Sequence, residues 1–329
     1  MESILVAGGA GYVGSHACKA LAAAGYRPVT LDNLVTGHAD AVKWGPFVEA
    51  DIADVETVRR VAREYGITTA MHFAARSLVG ESVAKPDLYY DNNVIGSLRL
   101  IEALSAEGLK HLVFSSTAAV YGAAEGELVG EDAPLRPINP YGETKLAIER
   151  ALGWIGAAKG FSWCALRYFN AAGADPDREI GERHDPETHL IPNLVRATLG
   201  TGPGLKLFGT DYPTPDGSAV RDYVHVVDLV EAHIKALDWL KAGGASRAFN
   251  LGSGKGLSVL EVIAAAERAL GRRPPYEVAP RRPGDPPRLV ADPRAAMAAF
   301  GWTPTRSDAD TMVASVAAFE AARAAADSS

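Results

Sequence analysis

The sequence predicts an α/β fold, in which a doubly wound parallel sheet is joined to a second, smaller α/β domain. The first observation is a short apolar run at residues 4–7 that leads directly into a glycine-rich loop. The second is an alternation of strand-like and helix-like stretches, the order in which right-handed crossovers build such a sheet. The third is a change in composition after about residue 175, where loop-like segments appear and Pro and Gly become dense from residue 200 to 217. Strands are predicted at residues 3–7, 27–32, 46–50, 69–74, 111–116 and 162–168.

The loop after the first strand carries Gly8, Gly11 and Gly14, and apolar residues then recur at helical spacing until Gly25. Glycines let the backbone approach a pyrophosphate, and the start of a helix offers unpaired N–H groups to an anion. A second strand ends in Asp32, 18 residues after Gly14, where a carboxylate can accept hydrogen bonds from a ribose. The same carboxylate would repel a 2′-phosphate. This unit therefore predicts dinucleotide binding, with NAD favoured over NADP.

A later strand ends in three hydroxyl side chains at residues 115–117. Ligands of parallel sheets collect at the carboxyl ends of the strands, so Ser115 and Thr117 are expected to face the cofactor.

Tyr141 and Lys145 are four residues apart, a spacing that places them on one face of a helix. Asn139 is a suitable N-cap and Pro140 suits the first helical position, which predicts that a helix begins here. A free tyrosine has a pKa of about 10, and a nearby ammonium group would favour the phenolate. With Thr117, this pair predicts a site that removes the proton from a substrate hydroxyl.

The expected domain division is interwoven. Residues 1–175 are expected to form the dinucleotide-binding domain, to which residues 221–252 return with a strand, a helix and a further strand. Residues 176–220 and 253–329 are expected to form the substrate-binding domain.

Composition narrows the classes of function. The net charge of −7 and the absence of a basic block argue against nucleic acid or an anionic membrane as partner. Cys18 and Cys164 fall in predicted helix and strand interiors and are expected to be reduced. No metal site is predicted. The chain begins directly with the first strand and has no long apolar run, so we expect a cytoplasmic protein.

The motifs above resemble the extended short-chain dehydrogenase/reductase superfamily and, within it, the UDP-glucose 4-epimerase family. Similar segments run from residue 4 to about residue 302 and include Ala119-Val-Tyr-Gly122, Leu166-Arg-Tyr-Phe-Asn170, Val220-Arg-Asp-Tyr-Val-His-Val226 and Asn250-Leu-Gly-Ser-Gly254. The resemblance implies a Rossmann fold, bound NAD and a UDP-sugar substrate. It also implies epimerisation at C4 through a transient 4-keto sugar, and a homodimer formed through helices near 91–107 and 141–158.

The resemblance also implies roles for individual residues. Tyr141, Lys145 and Thr117 would be catalytic. The cofactor would be bound by Gly8, Gly11, Tyr12, Val13, Gly14, Asp32, Asn33, Asp51, Ile52, Phe73, Ala74, Ala75, Asn92, Ser115, Tyr141, Lys145 and Tyr168. The UDP-sugar would be bound by Thr117, Asn170, His189, Leu190, Phe208, Arg221, Tyr223, Arg282, Asp285 and Leu289.

Some positions depart from the family pattern. Ser77, beside Arg76, stands where some members have a cofactor-contacting lysine, which predicts weaker retention of NAD. His189 replaces an asparagine that contacts the substrate in some members, and a role in loop structure remains equally open. Leu289 stands where members restricted to glucose and galactose usually have tyrosine. The shorter side chain leaves room near the sugar C2 substituent and predicts activity on UDP-N-acetylglucosamine and UDP-N-acetylgalactosamine as well.

Three alternatives remain. A nucleotide-sugar 4,6-dehydratase shares the fold but needs an Asp-Glu pair after the threonine, where this chain has Ala118 and Ala119. An epimerase or decarboxylase of UDP-uronic acids would need a cation near the sugar C6, which the sequence does not identify. A non-catalytic NAD sensor of this fold typically lacks the tyrosine or the lysine.

Overall fold

The computed structural model describes residues 1–124, 126–282 and 285–327. The strands are β1 (Ser3–Ala7), β2 (Arg27–Asp32), β3 (Phe47–Glu49), β4 (Thr69–His72), β5 (His111–Thr117), β6 (Ser162–Tyr168), β7 (Asn170–Ala172), β8 (Leu205–Phe208), β9 (Val220–Arg221), β10 (Tyr223–His225), β11 (Arg247–Leu251), β12 (Leu257–Ser258), β13 (Tyr276–Ala279) and β14 (Arg288–Leu289). The α-helices are α1 (Tyr12–Ala23), α2 (Val55–Tyr65), α3 (Val79–Ala84), α4 (Pro86–Tyr89), α5 (Gly96–Ala106), α6 (Pro140–Lys159), α7 (Leu190–Leu199), α8 (Val226–Lys241), α9 (Val259–Leu270), α10 (Arg294–Phe300) and α11 (Ala309–Asp327). A π-helical segment, Tyr90–Ile95, connects α4 to α5.

The main sheet has seven strands in the order β3-β2-β1-β4-β5-β6-β11, and every neighbouring pair is parallel. The doubly wound parallel sheet predicted from the sequence is thereby confirmed. The predicted strand 69–74 is shorter in the structure because the N–H groups of Phe73 and Ala74 both donate to the Ala7 carbonyl. The chain therefore turns away from the sheet after His72.

Alternation along the strands fills two cores. Leu5 and Ala7 of β1 pack on one face of the sheet, in a cluster shared with α2, α5 and α6. Ile4 and Val6 pack on the other face, with residues of α1 and α8. All four side chains are fully buried. A parallel sheet covered on both faces requires such continuously apolar strands, which is why the sequence signal was clear.

Smaller sheets follow the main one along the chain: β10 with β7, β13 with β8, and β9 between β12 and β14. A third apolar cluster lies among α7, α9 and α11. Within residues 221–252, β11 joins the main sheet beside β6, as expected for a returning segment. The strand β10 instead pairs with β7, outside the main sheet.

The cysteines agree with the expectation from their positions. Cys18 and Cys164 are buried and unbonded to each other, in α1 and β6. Among the described residues, no helix combines the length and apolarity needed to span a bilayer.

Candidate active site

A glycine loop at the carboxyl end of β1 forms a backbone cradle. Gly8 has φ +80°, and a Cβ on it would lie 2.5 Å from the Ala74 nitrogen. A Cβ on Gly14 would lie 2.0 Å from the Gly8 carbonyl oxygen. Gly11 precedes α1 without a side-chain cap, and the first turn of α1 holds no acidic residue. The N–H groups at the start of α1 are therefore suited to an anionic group that approaches the glycines.

Asp32 stands beside this cradle at the end of β2. Its carboxylate accepts hydrogen bonds from the backbone of Ala10 (3.0 Å) and Leu34 (2.9 Å). Burial raises the pKa of this carboxyl above its usual value. Asn33, the next residue, donates to Asp51 at 2.8 Å, which joins the loops after β2 and β3.

The remaining residues expected to bind the cofactor follow the same edge of the sheet. Phe73, Ala74 and Ala75 follow β4 directly. Ile52 is buried, and a Cβ on Gly96 would lie 3.0 Å from its Cδ1. Tyr12 and Val13 are the first two residues of α1. Val13 packs on the apolar cluster that α1 and α8 share with β1, and the Tyr12 hydroxyl donates to the Gly173 carbonyl at 2.6 Å.

Tyr141 and Lys145 lie in the first two turns of α6. The Asn139 side chain accepts a hydrogen bond from the Gly142 N–H at 2.9 Å and Pro140 is the first helical residue, as the sequence predicted. The Lys145 ammonium donates to the Ser115 carbonyl at 2.7 Å and lies 4.8 Å from the centre of the Phe114 ring.

Two hydroxyl groups at the end of β5 extend this arrangement. Thr117 Oγ1 accepts the Ala119 N–H at 3.1 Å, and its hydroxyl is near enough to Tyr141 to lower the pKa of that phenol. Ser115 Oγ lies 2.7 Å from the Tyr168 hydroxyl. The structure thus brings together a threonine hydroxyl, two phenols and an amine at the carboxyl end of β5 and β6.

The electrostatics differ from the sequence expectation. Burial raises the pKa of Tyr141 well above its usual value, and the neighbouring Thr117 hydroxyl offsets only part of this. Burial also lowers the pKa of Lys145 to about 7. Lys145 was expected to lower the pKa of Tyr141. In the structure, burial is the largest cause of the pKa shift of both groups, and the Lys145 ammonium is directed at the Ser115 carbonyl. Tyr141 therefore needs a further positive charge near its hydroxyl to ionise near neutral pH.

A buried asparagine contacts the helix α6 that carries Tyr141 and Lys145. Asn93, in the π-helical segment, accepts from the Arg76 N–H at 2.9 Å and donates to Thr144 Oγ1 at 3.1 Å. Its neighbour Asn92 donates to Asn93 Oδ1 at 2.9 Å. π-Helical turns are common at functional sites, and this one joins the loop after β4 to the residue before Lys145.

A buried ion pair lies one turn further along α6. Arg167 donates to both carboxylate oxygens of Glu149, and Ser116 also donates to Glu149. Arg167 in addition donates to the Tyr121 hydroxyl at 2.9 Å, and Tyr121 donates to Asn250 at 2.7 Å. This network joins α6 to β5, β6 and β11.

The expected substrate residues lie on neighbouring short strands. Tyr223 of β10 is opposite Asn170 of β7, and Asn170 donates to the Asp222 carbonyl at 2.7 Å. Leu289 of β14 is opposite Arg221 of β9, and Arg221 forms an ion pair with Asp285.

Three further members of the expected set lie around these strands. Arg282 lies 4.1 Å from the centre of the Phe208 ring. Leu190 is the first residue of α7. Leu289 packs against the apolar cluster around Ala118 and Tyr121, which follow Thr117 in the chain.

The structure also places the positions at which this chain departs from the family pattern. Arg76 is 3.6 Å from Glu81, and Ser77 is exposed. His189 Nδ1 faces the carboxylates of Glu182 and Glu187. Sequence reasoning did not anticipate that these two glutamates and His184 surround His189. The signal available was the spacing Glu-x-His-x-x-Glu-x-His over residues 182–189.

The parallel sheet, the glycine cradle and the Tyr–Lys pair define a dinucleotide-binding α/β protein with a site for proton transfer to or from a hydroxyl. Residues 4–252 match the NAD dependent epimerase/dehydratase family, and the chain belongs to that family.

Relatives of known name agree with this assignment. The chain is 48% identical over 312 residues to a UDP-glucose 4-epimerase of Lacticaseibacillus casei, covering 94% of both chains. It superimposes with a TM-score of 0.95 on the crystal structure of the Brucella ovis UDP-glucose 4-epimerase in complex with NAD, at 46% identity and over 97% of this chain and 98% of that one. For the Stenotrophomonas maltophilia UDP-glucose 4-epimerase with bound NAD and formylated UDP-arabinopyranose, the TM-score is 0.96 at 39% identity, over 99% of this chain and 100% of that one.

Proposed function

We propose that this chain is an NAD-dependent isomerase that interconverts UDP-glucose and UDP-galactose by inverting C4 through a transient 4-keto sugar. The observation that carries the proposal is the convergence of Thr117 at the end of β5 with Tyr141 and Lys145 in the first two turns of α6, where Lys145 donates to the Ser115 carbonyl at 2.7 Å. This group lies on the edge of the sheet that bears the glycine cradle. The names and ligands of the relatives support the same reading.

The residues present fit NAD. A Cβ on Gly8 would collide with the backbone of Ala74, and a Cβ on Gly14 would collide with the backbone of Gly8, so the loop carries no side chain at these two positions and a pyrophosphate can approach its backbone. Asp32 places a carboxylate beside the cradle for the adenosine ribose. The remaining contacts are assigned to Gly11, Tyr12, Val13, Asn33, Asp51, Ile52, Phe73, Ala74, Ala75, Asn92, Ser115, Tyr141, Lys145 and Tyr168. Bound NAD supplies a reversible hydride acceptor for the sugar C4.

Tyr141 and Thr117 manage the proton of the 4-hydroxyl group. Tyr141 removes it and keeps it while the sugar carbon is a ketone, and then returns it after the sugar has turned its other face. Burial favours the protonated phenol, so the proton is held firmly between the two steps. Lys145, with its pKa near 7, is charged in a large fraction of molecules at neutral pH and supplies part of the positive charge that ionisation needs.

The UDP group is held by residues outside the main sheet. Arg221 and Arg282 suit a diphosphate because guanidinium groups form paired, charge-assisted hydrogen bonds with phosphate oxygens. Asp285 orients Arg221 through an ion pair, and the Phe208 ring supports Arg282, so both guanidinium groups are held in place before substrate binds. Asn170, Leu190 and Tyr223 complete the assigned set, whereas the imidazole of His189 faces Glu182 and Glu187.

Leu289 sets the expected sugar specificity. Its side chain packs toward Ala118 and Tyr121, beside the catalytic segment, and lacks the bulk of a tyrosine. We therefore propose that N-acetylated UDP-hexoses are also substrates. Leu289→Tyr should lower kcat/KM for UDP-N-acetylglucosamine and leave that for UDP-glucose little changed. Equal effects on both sugars, or no turnover of the acetylated sugar by the unaltered protein, would reject this specificity.

A homodimer is proposed through α5 and α6. Leu98 and Ile155 line a hollow between these helices, and the Trp154 side chain beside it is 82% exposed. An exposed tryptophan of this kind often marks an interface. Light scattering after size exclusion should give twice the chain mass, and Trp154→Glu should shift it toward the monomer.

The organisation of the chain is proposed on similar grounds. Residues 1–175 and 221–252 are assigned to the NAD-binding domain, and 176–220 and 253–329 to the nucleotide-sugar domain. The buried, unpaired thiols of Cys18 and Cys164 suit a reducing compartment, so a cytoplasmic location is proposed.

The test uses the purified protein with UDP-galactose and no added nucleotide. UDP-glucose should form, and C4 should take up no deuterium from heavy water because its hydrogen is transferred as hydride. Tyr141→Phe should lose activity by several orders of magnitude while it retains its NAD content. Deuterium at C4 of the product, or full activity of Tyr141→Phe, would disprove the proposed chemistry.

Dehydration of the sugar has no support from the site. Ala118 and Ala119, which follow Thr117 directly, begin a short 3₁₀ helix and cannot transfer protons. The 4,6-dehydratase reaction would leave UDP-4-keto-6-deoxyhexose in the same assay.

A further inference from the structure

Four side chains converge on one point in the segment that leads from β7 to α7. They are the carboxylates of Glu182 and Glu187 and the imidazoles of His184 and His189, hereafter the Glu–His cluster. The two glutamate side chains are only 3% and 4% exposed. Buried carboxylates next to each other repel unless positive charge lies between them.

The distances within the Glu–His cluster match a metal-ligand set. His189 Nδ1 lies 2.8 Å from Glu182 Oε1 and 2.9 Å from Glu187 Oε1. His184 Nδ1 lies 3.1 Å from Glu182 Oε1 and 3.8 Å from Glu187 Oε2. Around a tetrahedral zinc ion with bonds of about 2.0–2.1 Å, ligand atoms lie about 3.3 Å apart. The observed separations fall on both sides of that value.

Hydrogen bonding accounts for only part of this arrangement: Glu187 Oε1 accepts the backbone N–H groups of Thr188 and His189 and lies 2.9 Å from His189 Nδ1. Each histidine Nδ1 carries at most one proton but lies beside two carboxylates, so it can donate a hydrogen bond to only one of them. Among the described residues, His184 Nδ1 and Glu187 Oε2 are buried atoms that have no hydrogen-bond partner. Glu187 Oε2 belongs to a side chain that is more than nine-tenths buried and directed at the centre of the cluster. Buried polar atoms of this kind call for a ligand.

We propose that Glu182, His184, Glu187 and His189 bind one Zn²⁺ ion in a tetrahedral site. Imidazole nitrogen and carboxylate oxygen are ordinary zinc ligands, and four protein ligands leave no open coordination position. The site is therefore structural and takes no part in the proton transfer at Tyr141.

The position of the Glu–His cluster gives the ion a defined role. His189 is the N-cap residue of α7, whereas Glu182 belongs to a segment held against the glycine-loop side of the molecule. That segment is bound through His38, which contacts the Arg183 carbonyl at 2.8 Å, and through Tyr12, which donates to Gly173. A zinc ion would fix the start of α7 to this segment.

The first test is the metal content of the full chain, purified without an affinity tag or a chelator from cells supplied with zinc. Mass spectrometry of the metal should find about one zinc ion per chain. His189→Gln and Glu182→Gln should lose it, whereas His111→Gln, a histidine outside the cluster that contacts Ser162, should keep it. Removal of zinc by a chelator should lower the Tm, and added Zn²⁺ should restore it.

A second measurement does not depend on variants that fold. Cobalt added to the chelator-treated chain should give the strong visible absorption of tetrahedral Co²⁺, and Zn²⁺ should displace it. A purified chain that contains less than about a tenth of an equivalent of metal and shows no cobalt absorption would overturn the proposal. A full equivalent of a different divalent metal would overturn the assignment to zinc.

Discussion

Replacement of Lys145 by methionine should stabilise the nucleotide-free protein while it abolishes turnover. Methionine has a similar length and carries no charge. Lys145 is 3% exposed, and its burial lowers its pKa from 10.5 to about 7. A group kept for its chemistry at the expense of folding is expected at an active site.

The magnitude follows from the two pKa values. Below pH 7 the lysine is charged in the folded and the unfolded chain, so the difference between 10.5 and about 7 corresponds to a cost of about 5 kcal/mol for the folded state. As the pH rises, the folded amine loses its proton before the unfolded one, and the cost falls by about 1.4 kcal/mol per pH unit until pH 10.5. Loss of the hydrogen bond to Ser115 offsets about 1–2 kcal/mol of the gain.

Lys145→Met should therefore be more stable than the parent by about 3 kcal/mol at pH 7 and by less than about 1 kcal/mol at pH 9. Urea unfolding at both pH values measures these differences. Lys159→Met, an exposed lysine on the same helix, is the matched control and should show little dependence on pH. A Lys145→Met variant that is less stable at pH 7, or a difference that stays constant between pH 7 and pH 9, would refute the reasoning.

Three further changes test other parts of the molecule. Gly14→Ala places a methyl group 2.0 Å from the Gly8 carbonyl oxygen and should lower NAD retention at least about tenfold, measured as nucleotide released on denaturation; undiminished NAD content would show that the cradle is not required. Glu149→Ala leaves the buried Arg167 guanidinium without its carboxylate and should reduce the free energy of unfolding by about 3–5 kcal/mol in urea; a loss below about 1 kcal/mol would show that water replaces the partner. Asn139→Ala removes the N-cap of α6 and should lower the free energy of unfolding by about 1 kcal/mol in the same measurement; an unchanged midpoint would contradict that role.

Local sequence signals were sufficient to predict the main sheet and the start of α6. Strands of that sheet contain short apolar runs, such as residues 4–7 in β1 and residues 112–114 in β5, and Asn139 and Pro140 act through groups within three residues of themselves. These features depend on short-range chemistry. The prediction that Tyr141 and Lys145 lie on one face of a helix also needed only local sequence.

Other features depend on contacts distant in sequence. The two-residue strands β9, β12 and β14 are too short to show a period, and they pair across 36 residues or more. The pKa of Tyr141 depends on how completely the fold buries it, so a nearby lysine in the sequence suggested the wrong direction. The Glu–His cluster had a visible spacing, but only the fold shows that its four side chains face one another.

The pairing of β11 with β6 has a consequence for how the chain is made. β6 ends at residue 168, and the strand that covers its free side is complete only at residue 251. During translation, more than eighty residues must leave the ribosome while the backbone N–H and C=O groups on that side of β6 lack their strand partner. Such an open edge invites pairing with other nascent chains. A gene fragment that stops near residue 175 should therefore yield insoluble protein, whereas one that continues through residue 251 covers this side of β6 with β11.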